Sequence, residues 1–291
     1  MRETGKPETG NLLLIASFII DTCTNSNEEM VNADNLYIAL IQTDLVWEDA
    51  RANRIHFEEM FNRLPDETEL VVLPEMFSTG FSMNVEEQSE TMAGNTVSWL
   101  REQACQTGKV IAGSIMIREN QSFFNRFVFV KPDKRIDFYD KRHLFSMGQE
   151  QAHFTPGSER KLFQLKSFRI LPQICYDLRF PVFSRNRGEY DLLINCANWP
   201  SPRRLAWEIL LKARAIENQA YVAGVNRTGV DANGIRYSGH SMVIDPKGKE
   251  IAAATTGRDE IVTACLSKSS LERFREKFPV LPDADHFSLR L

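Results

Sequence analysis

Short runs of β-branched and aromatic residues alternate along this chain with stretches whose apolar residues recur at helical spacing. That alternation constrains the fold more than any other feature. Leu36 to Gln42 reads as a strand. Phe57, Met60, Phe61 and Leu64 then mark one face of a helix at i, i+3, i+4 and i+7. Leu70 to Leu73 is a short buried strand ending at Pro74. Val97, Leu100 and Ala104 mark a second helix, and Val110 to Ile115 is the next strand. Phe123 to Val130 and Arg135 to Tyr139 form a hairpin around Pro132-Asp133-Lys134. The second half repeats the style without repeating the sequence. Arg169 to Ile174, Leu192 to Cys196 and Tyr221 to Val225 are strands, and Leu205 to Glu217 is the clearest helix. His240 to Asp245 and Glu250 to Ala254 flank the turn Pro246-Lys247-Gly248-Lys249. Ile261 to Leu266 closes the sheet, and Leu271 to Phe278 is a final amphipathic helix. Strands alternating with helices imply helices covering sheets, an α/β layering. Two sheets packed face to face with helices outside also explain why many strands lack polar alternation.

A chain of 291 residues can bury a large core without disulfide or metal staples. From Leu36 onward no linker, low-complexity tract or internal repeat interrupts it, so residues 36–291 are expected to form one domain. Residues 1–35 read differently and are expected to be a dispensable extension. Their apolar run, Leu12 to Ile20, falls far short of the roughly 20 residues a bilayer span needs. The segment before it mixes Arg2 and Lys6 with Glu3 and Glu8, without the positive excess of a signal peptide. No small residue stands next to Cys23, which argues against a lipoprotein cleavage site. Met30, just ahead of the first strand, fits a start placed too far upstream; export is the alternative.

Apolar residues at 43% and charged residues at 25% exclude a disordered tail, a collagen-like fibre and a coiled coil. A net charge of −4 excludes a bulk nucleic-acid binder, and no membrane span is expected. The five cysteines are an odd, sparse set lacking any C-x-x-C pair. That argues against a zinc site or disulfide framework and for a reducing compartment, the cytoplasm.

Three segments put a reactive side chain just past a buried strand. In Leu70-Val71-Val72-Leu73-Pro74-Glu75-Met76-Phe77 the acid is alone among apolar neighbours, where a carboxylate has a raised pKa and can act as a general base. Phe138-Tyr139-Asp140-Lys141-Arg142-His143-Leu144-Phe145 offers a lysine ammonium to hold an anion. Ile170-Leu171-Pro172-Gln173-Ile174-Cys175-Tyr176-Asp177-Leu178-Arg179-Phe180-Pro181 places a cysteine at a strand-to-helix turn, where the positive helix end favours the thiolate. Each has a plain reading as well: a structurally paired glutamate, a solvated charge run, and a cysteine used for packing.

Together the segments resemble the nitrilase superfamily of carbon–nitrogen hydrolases, whose Glu–Lys–Cys triad falls here on Glu75, Lys141 and Cys175. The resemblance spans roughly Leu36 to Phe278. It includes Ala197-Asn198-Trp199-Pro200, Ala213-Arg214-Ala215-Ile216-Glu217-Asn218 and Gly239-His240-Ser241. It implies a four-layer α-β-β-α sandwich, usually paired as a homodimer. Finer features resemble the omega-amidase branch: Pro74-Glu75-Met76-Phe77-Ser78-Thr79-Gly80-Phe81, Lys141-Arg142-His143-Leu144-Phe145 and Cys175 to Pro181. Omega-amidases hydrolyse the terminal amide of 2-oxoglutaramate or 2-oxosuccinamate to ammonia and a 2-oxo-dicarboxylate. Many family members carry a second glutamate seven residues before a glycine. Glu150 holds that place relative to Gly157 and is expected to orient Lys141 or the substrate.

The mechanism this implies is acyl transfer through a Cys175 thioester. Glu75 is the base, and Lys141 with the Tyr176 backbone N–H stabilises the oxyanion. No metal or organic cofactor is needed. Arg179, four residues after the cysteine, is the candidate partner for a substrate carboxylate, with a surface salt bridge as its plain reading. Phe81, Phe145, Asn198 and Trp199 are candidate pocket residues. Other amidases, N-carbamoyl amide hydrolysis and nitrile hydrolysis share the triad and stay open. A cysteine–histidine enzyme using His143, His153 or His240, and a non-catalytic interaction module, are the readings from other classes.

Overall fold

Leu36, Ile38 and Leu40 join one apolar cluster while Ile41, on the alternate face of the same strand, joins another, and all four are buried. A strand sealed on both faces must lie between two layers. In the computed structural model, which describes Met1 and residues 34–290, the architecture follows from that requirement. The apolar run Leu12 to Ile20, Cys23 and Met30 lie outside the described residues.

The first sheet contains β1 (Asn35–Gln42), β2 (Leu70–Val72), β3 (Val110–Glu119), β4 (Ser122–Val130) and β5 (Ile136–Asp140). The second contains β6 (Phe163–Leu165), β7 (Phe168–Ile174), β8 (Leu192–Ala197) and β9 (Tyr221–Asn226). A hairpin of β10 (Thr228–Val230) and β11 (Arg236–Ser238) stands apart, and β12 (Met242–Ile244) and β13 (Glu250–Ala253) complete the second sheet. Finally β14 (Glu260–Ser267) returns to the first sheet, beside β1, giving the orders β14-β1-β2-β3-β4-β5 and β13-β12-β9-β8-β7-β6. The expected last strand is therefore present, but it extends the first sheet rather than closing the second. In each sheet three strands run parallel and the outer pairings described are antiparallel.

Helices α1 (Ala50–Phe61) and α2 (Asn95–Thr107) cover the first sheet, and α3 (Arg204–Asn218) covers the second. Phe57, Met60, Phe61, Val97 and Leu100 pack on Val71, Ile111 and Val128. Trp207, Leu211 and Ala215 pack on Leu193, Val222 and Ile244. Between the sheets, Leu70, Val72, Phe127 and Phe129 meet Ile170, Ile174, Leu192 and Ile194. These are the four layers of an α-β-β-α sandwich. Asp49 caps α1, its carboxylate accepting from Ala52 N at 2.9 Å, and Gly108 ends α2 in the left-handed region at φ 68°.

The last helix, α4 (Lys268–Lys277), is fastened to β7 through one fully buried carboxylate. Asp191 accepts from Lys268 Nζ at 2.7 Å, from Arg275 Nη1 at 2.8 Å and from Arg169 Nη2 at 3.2 Å. Burial opposes its charge, but hydrogen bonds from Arg169 and Lys268 overcome that and hold the carboxyl well below the ordinary 3.8. Its stabilisation is complete above the ordinary value and is lost only as the pH falls through the depressed one. At neutral pH, Asp191→Asn is expected to cost about 3 kcal/mol, the low end for a buried pair because Arg169 is partly solvated. For a domain of this size that corresponds to a fall in Tm of about 10 °C, read by a thermal melt. A change under 2 °C would show that α4 is held otherwise.

Candidate active site

Four strand ends meet at one cluster. Glu75 follows β2 by three residues, Lys141 follows β5 at once, Cys175 follows β7 and Asn198 follows β8. Placement just past the carboxyl ends of strands is where open α/β sheets gather functional groups. Two of these bends are strained: Met76, next to Glu75, and Cys175 itself both take φ 45°, at a cost of order 1–3 kcal/mol for a non-glycine residue. The surroundings hold them there. Met76 N donates to Ser114 Oγ at 2.9 Å, and Ile174 N donates to Asp177 Oδ2 at 3.0 Å.

Glu75, Lys141 and Glu150 are fully buried and bonded together. The Lys141 ammonium donates to Glu75 Oε1 at 2.8 Å and to both oxygens of Glu150 at 3.0 and 2.8 Å. Burial alone would lower the ammonium's pKa, but the charges of Glu150 and Glu75 outweigh it and hold it well above the ordinary lysine value. Burial raises the Glu150 pKa, and Lys141 offsets only part of that. Glu150 also accepts from Phe145 N at 2.6 Å, which ties the loop after Lys141 to the cluster. The glycine seven residues on has a physical reason: a Cβ at Gly157 would come within 2.1 Å of Asp140 O, next to the lysine.

Cys175 is half-buried, with Sγ 4.0 Å from Asn198 O and the Glu75 carboxylate beside it. Here the structure corrects one expectation. The helix behind the cysteine is only the five-residue 3-10 turn Cys175–Arg179. Burial and the Glu75 charge push the thiol's pKa well up in spite of Lys141. These surroundings favour the thiol over the thiolate, so the sulfur needs a base at the moment of reaction.

A cavity of about 510 Å³ opens on Cys175, and Phe81, Phe145, Tyr176, Arg179, Asn198 and Trp199 all line it. Every pocket residue expected from the sequence is thus brought to one place, with Glu75, Lys141 and Glu150 sealed from solvent next to it. Phe81 shields the ammonium, its ring centre 5.5 Å from Lys141 Nζ. Asn198 does more than line the wall: its N–H donates to Glu75 Oε2 at 2.8 Å and its Nδ2 to Glu75 O at 2.7 Å. The Arg179 guanidinium lies 4.9 Å above the Trp199 ring and pairs with no carboxylate among the described residues. That disposes of its reading as a surface salt bridge. None of His143, His153 and His240 lines the cavity.

Three further residues belong to the site. Asn125 Nδ2 donates to Glu75 Oε1 at 2.9 Å and to Glu150 Oε1 at 3.1 Å, so one neutral amide bridges both carboxylates. Its signal was a polar side chain inside the apolar run Phe123 to Val130. Asp177 joins the nucleophile turn to the lysine loop, accepting from Tyr139 OH at 2.8 Å and from His143 N at 2.9 Å. Arg203 lines the cavity, its guanidinium 5.2 Å from the Phe145 ring centre. No local pattern marks it.

Comparison with known proteins places this geometry. The carbon-nitrogen hydrolase family model matches residues 37–276. The omega-amidase YafV of Escherichia coli K12 is 46% identical over 254 residues, covering 87% of this chain and 98% of that protein. A 2-oxoglutaramate amidase of Bacillus subtilis is 34% identical over 253 residues, covering 84% and 96%. Among solved structures, XC1258 of Xanthomonas campestris, a CN-hydrolase superfamily protein with an arsenic adduct in its active site, superposes with a TM-score of 0.85. It is 42% identical over 88% of this chain and 99% of its own. With a family match over most of its length and the buried glutamate–lysine cluster beside a half-buried cysteine, this chain belongs to the carbon-nitrogen hydrolase family.

Proposed function

We propose that this chain is an omega-amidase, hydrolysing the terminal amide of 2-oxoglutaramate or 2-oxosuccinamate to ammonia and the 2-oxo-dicarboxylate. The observation that carries the reading is an unpaired guanidinium, Arg179, in the same cavity as Cys175. An amide with a carboxylate at its far end fits a site with a thiol at one place and a free planar cation at another. The activities named for the Escherichia coli and Bacillus subtilis relatives support it.

In the proposed mechanism Glu75 takes the Cys175 proton as the sulfur attacks the amide carbon. The tetrahedral oxyanion is met by the Tyr176 backbone N–H and by the positive charge of Lys141. The C–N bond breaks as Glu75 passes the proton to nitrogen, and ammonia leaves. Glu75 then draws a proton from a water that attacks the thioester. The C–S bond breaks, the acid departs, and the proton returns to sulfur. Glu150 and Asn125 hold Lys141 and Glu75 in place throughout.

An ammonia-release assay over 2-oxoglutaramate, glutamine, aliphatic nitriles and N-carbamoyl amino acids tests the reading, with 2-oxoglutaramate expected to lead. Arg179→Met is expected to raise KM for 2-oxoglutaramate by roughly 10- to 150-fold, the loss of a charge-assisted pair worth about 1.5–3 kcal/mol. A neutral amide of similar size should change little. A uniform fall for both would mean that Arg179 supports the nucleophile turn instead.

The homodimer belongs to the same proposal. Leu205, Ile209 and Ile216 are exposed along one face of α3, an apolar stripe suited to a second copy. Residence in the cytoplasm is supported by the cysteines: Cys105, Cys175, Cys196 and Cys265 are all free. No helix among the described residues is long and apolar enough to cross a membrane.

A further inference from the structure

We infer that Arg203 is a specificity-determining residue, the second cation of a two-arginine clamp that accepts a 2-oxo acid and rejects the corresponding 2-amino acid. The inference deepens the omega-amidase reading and rests on it. Two half-buried guanidinium groups line one cavity, and neither pairs with a carboxylate among the described residues. Each lies instead against an aromatic wall residue, Arg179 at 4.9 Å from the Trp199 ring centre and Arg203 at 5.2 Å from that of Phe145. Trp199 couples the two, since its ring carries Arg179 while its Nε1 donates to Arg203 O at 2.8 Å.

The cavity's own acids are already engaged. Asp231 accepts from Asn233 N and Ile235 N at 2.9 Å each and from Tyr237 OH at 2.9 Å, while Glu48 bonds Ser82 Oγ. Neither acid bonds a guanidinium, so both forks keep their N–H donors for a ligand, while Glu48 and Asp231 retain their negative charge. A carboxylate paired bidentately with one planar fork leaves the second fork only its outer lone pairs. A 2-oxo oxygen next to that carboxylate gives the second fork an acceptor. A 2-ammonium at the same carbon offers no acceptor and leaves the second fork unpaired beside a like charge. The clamp thus binds 2-oxoglutaramate and turns glutamine away, although the two present the same terminal amide to Cys175.

The test measures kcat and KM of the parent, Arg203→Met and Arg203→Lys with 2-oxoglutaramate, glutamine and glutaramate, which keeps the carboxylate but lacks the 2-oxo group. Arg203→Met should raise KM for 2-oxoglutaramate at least about tenfold with a smaller change in kcat. Glutaramate should lose less and glutamine least, so that the 2-oxoglutaramate-to-glutamine ratio of kcat/KM drops at least about tenfold. Arg203→Lys keeps the charge without the fork and should fall between parent and Met, which guards against a folding defect in the first variant. A ratio unchanged in both variants, whether rates fall together or stay level, overturns the clamp while leaving the omega-amidase reading intact. A parent that prefers glutamine or neutral amides over 2-oxoglutaramate overturns that reading, and the clamp falls with it.

Discussion

Replacing Cys175 with alanine is expected to abolish ammonia release from 2-oxoglutaramate, a fall of at least about 10⁴-fold, while Tm moves by only a few degrees. Loss of a nucleophile in an acyl-transfer site removes the covalent route altogether, and residual binding and oxyanion contacts recover little of it. The fold should barely notice. Sγ is half-buried against Asn198 O and the Glu75 carboxylate, and Glu75 keeps its bonds from Lys141, Asn125 and Asn198 N, so alanine leaves a small void and no unsatisfied partner. Serine in its place should fare no better, because a hydroxyl is a far weaker nucleophile than the sulfur for which Glu75 acts as base. Ammonia release measured beside a thermal melt separates chemistry from folding. Activity within tenfold of the parent would rule out the thioester mechanism.

Lys141→Arg is expected to lower kcat at least about a hundredfold, comparable to losing one oxyanion donor, even though the charge is kept. The ammonium is a compact point charge in a fully buried site, bonded to Glu75 and to both oxygens of Glu150 within 2.8–3.0 Å. A planar guanidinium cannot reproduce three converging short bonds, and its bulk must push Glu75 away from the sulfur. Lys141→Met should go further. Two adjacent buried carboxylates would then face each other with no cation between them, and Glu75 would lose the partner that holds it beside the sulfur. Its melt should also fall, since removing one partner strands a buried charge at about 3–5 kcal/mol. Normal turnover by the arginine variant would remove Lys141 from the site.

Much of this molecule was legible along the chain because the signals are local. Phe57, Met60 and Phe61 lie on one buried face of α1, and the run Leu70 to Val72 is sealed on both sides, because periodicity records which faces meet a core. The turn Pro132 to Lys134 joins the antiparallel strands β4 and β5, as its residues dictate. Glu75, Lys141 and Cys175 could be singled out because each reactive type stands directly after an apolar strand, where side chains reach the sheet edge.

Other features have no local signature. β14 pairs with β1 across more than two hundred residues, and only the stacking of the two sheets decides which edge is free to receive it. Arg203 reaches the cavity because α3 begins where it does, and a surface arginine at a helix start reads the same in any sequence. Asn125 meets Glu75 and Glu150 at separations of 50 and 25 residues, so its task exists only once β4 lies between the two turns. The environment of the Cys175 sulfur arises in the same way. A sequence shows a cysteine before a turn and suggests a thiolate, but the pKa follows from the dielectric and the charges that folding gathers around the sulfur. Short-range periodicity and turn chemistry, both written along the chain, set which elements form and which residues carry reactive groups. Which of those groups touch and which charges stay unpaired follows only from the folded chain, because burial and Coulomb interactions act between residues that are distant in sequence.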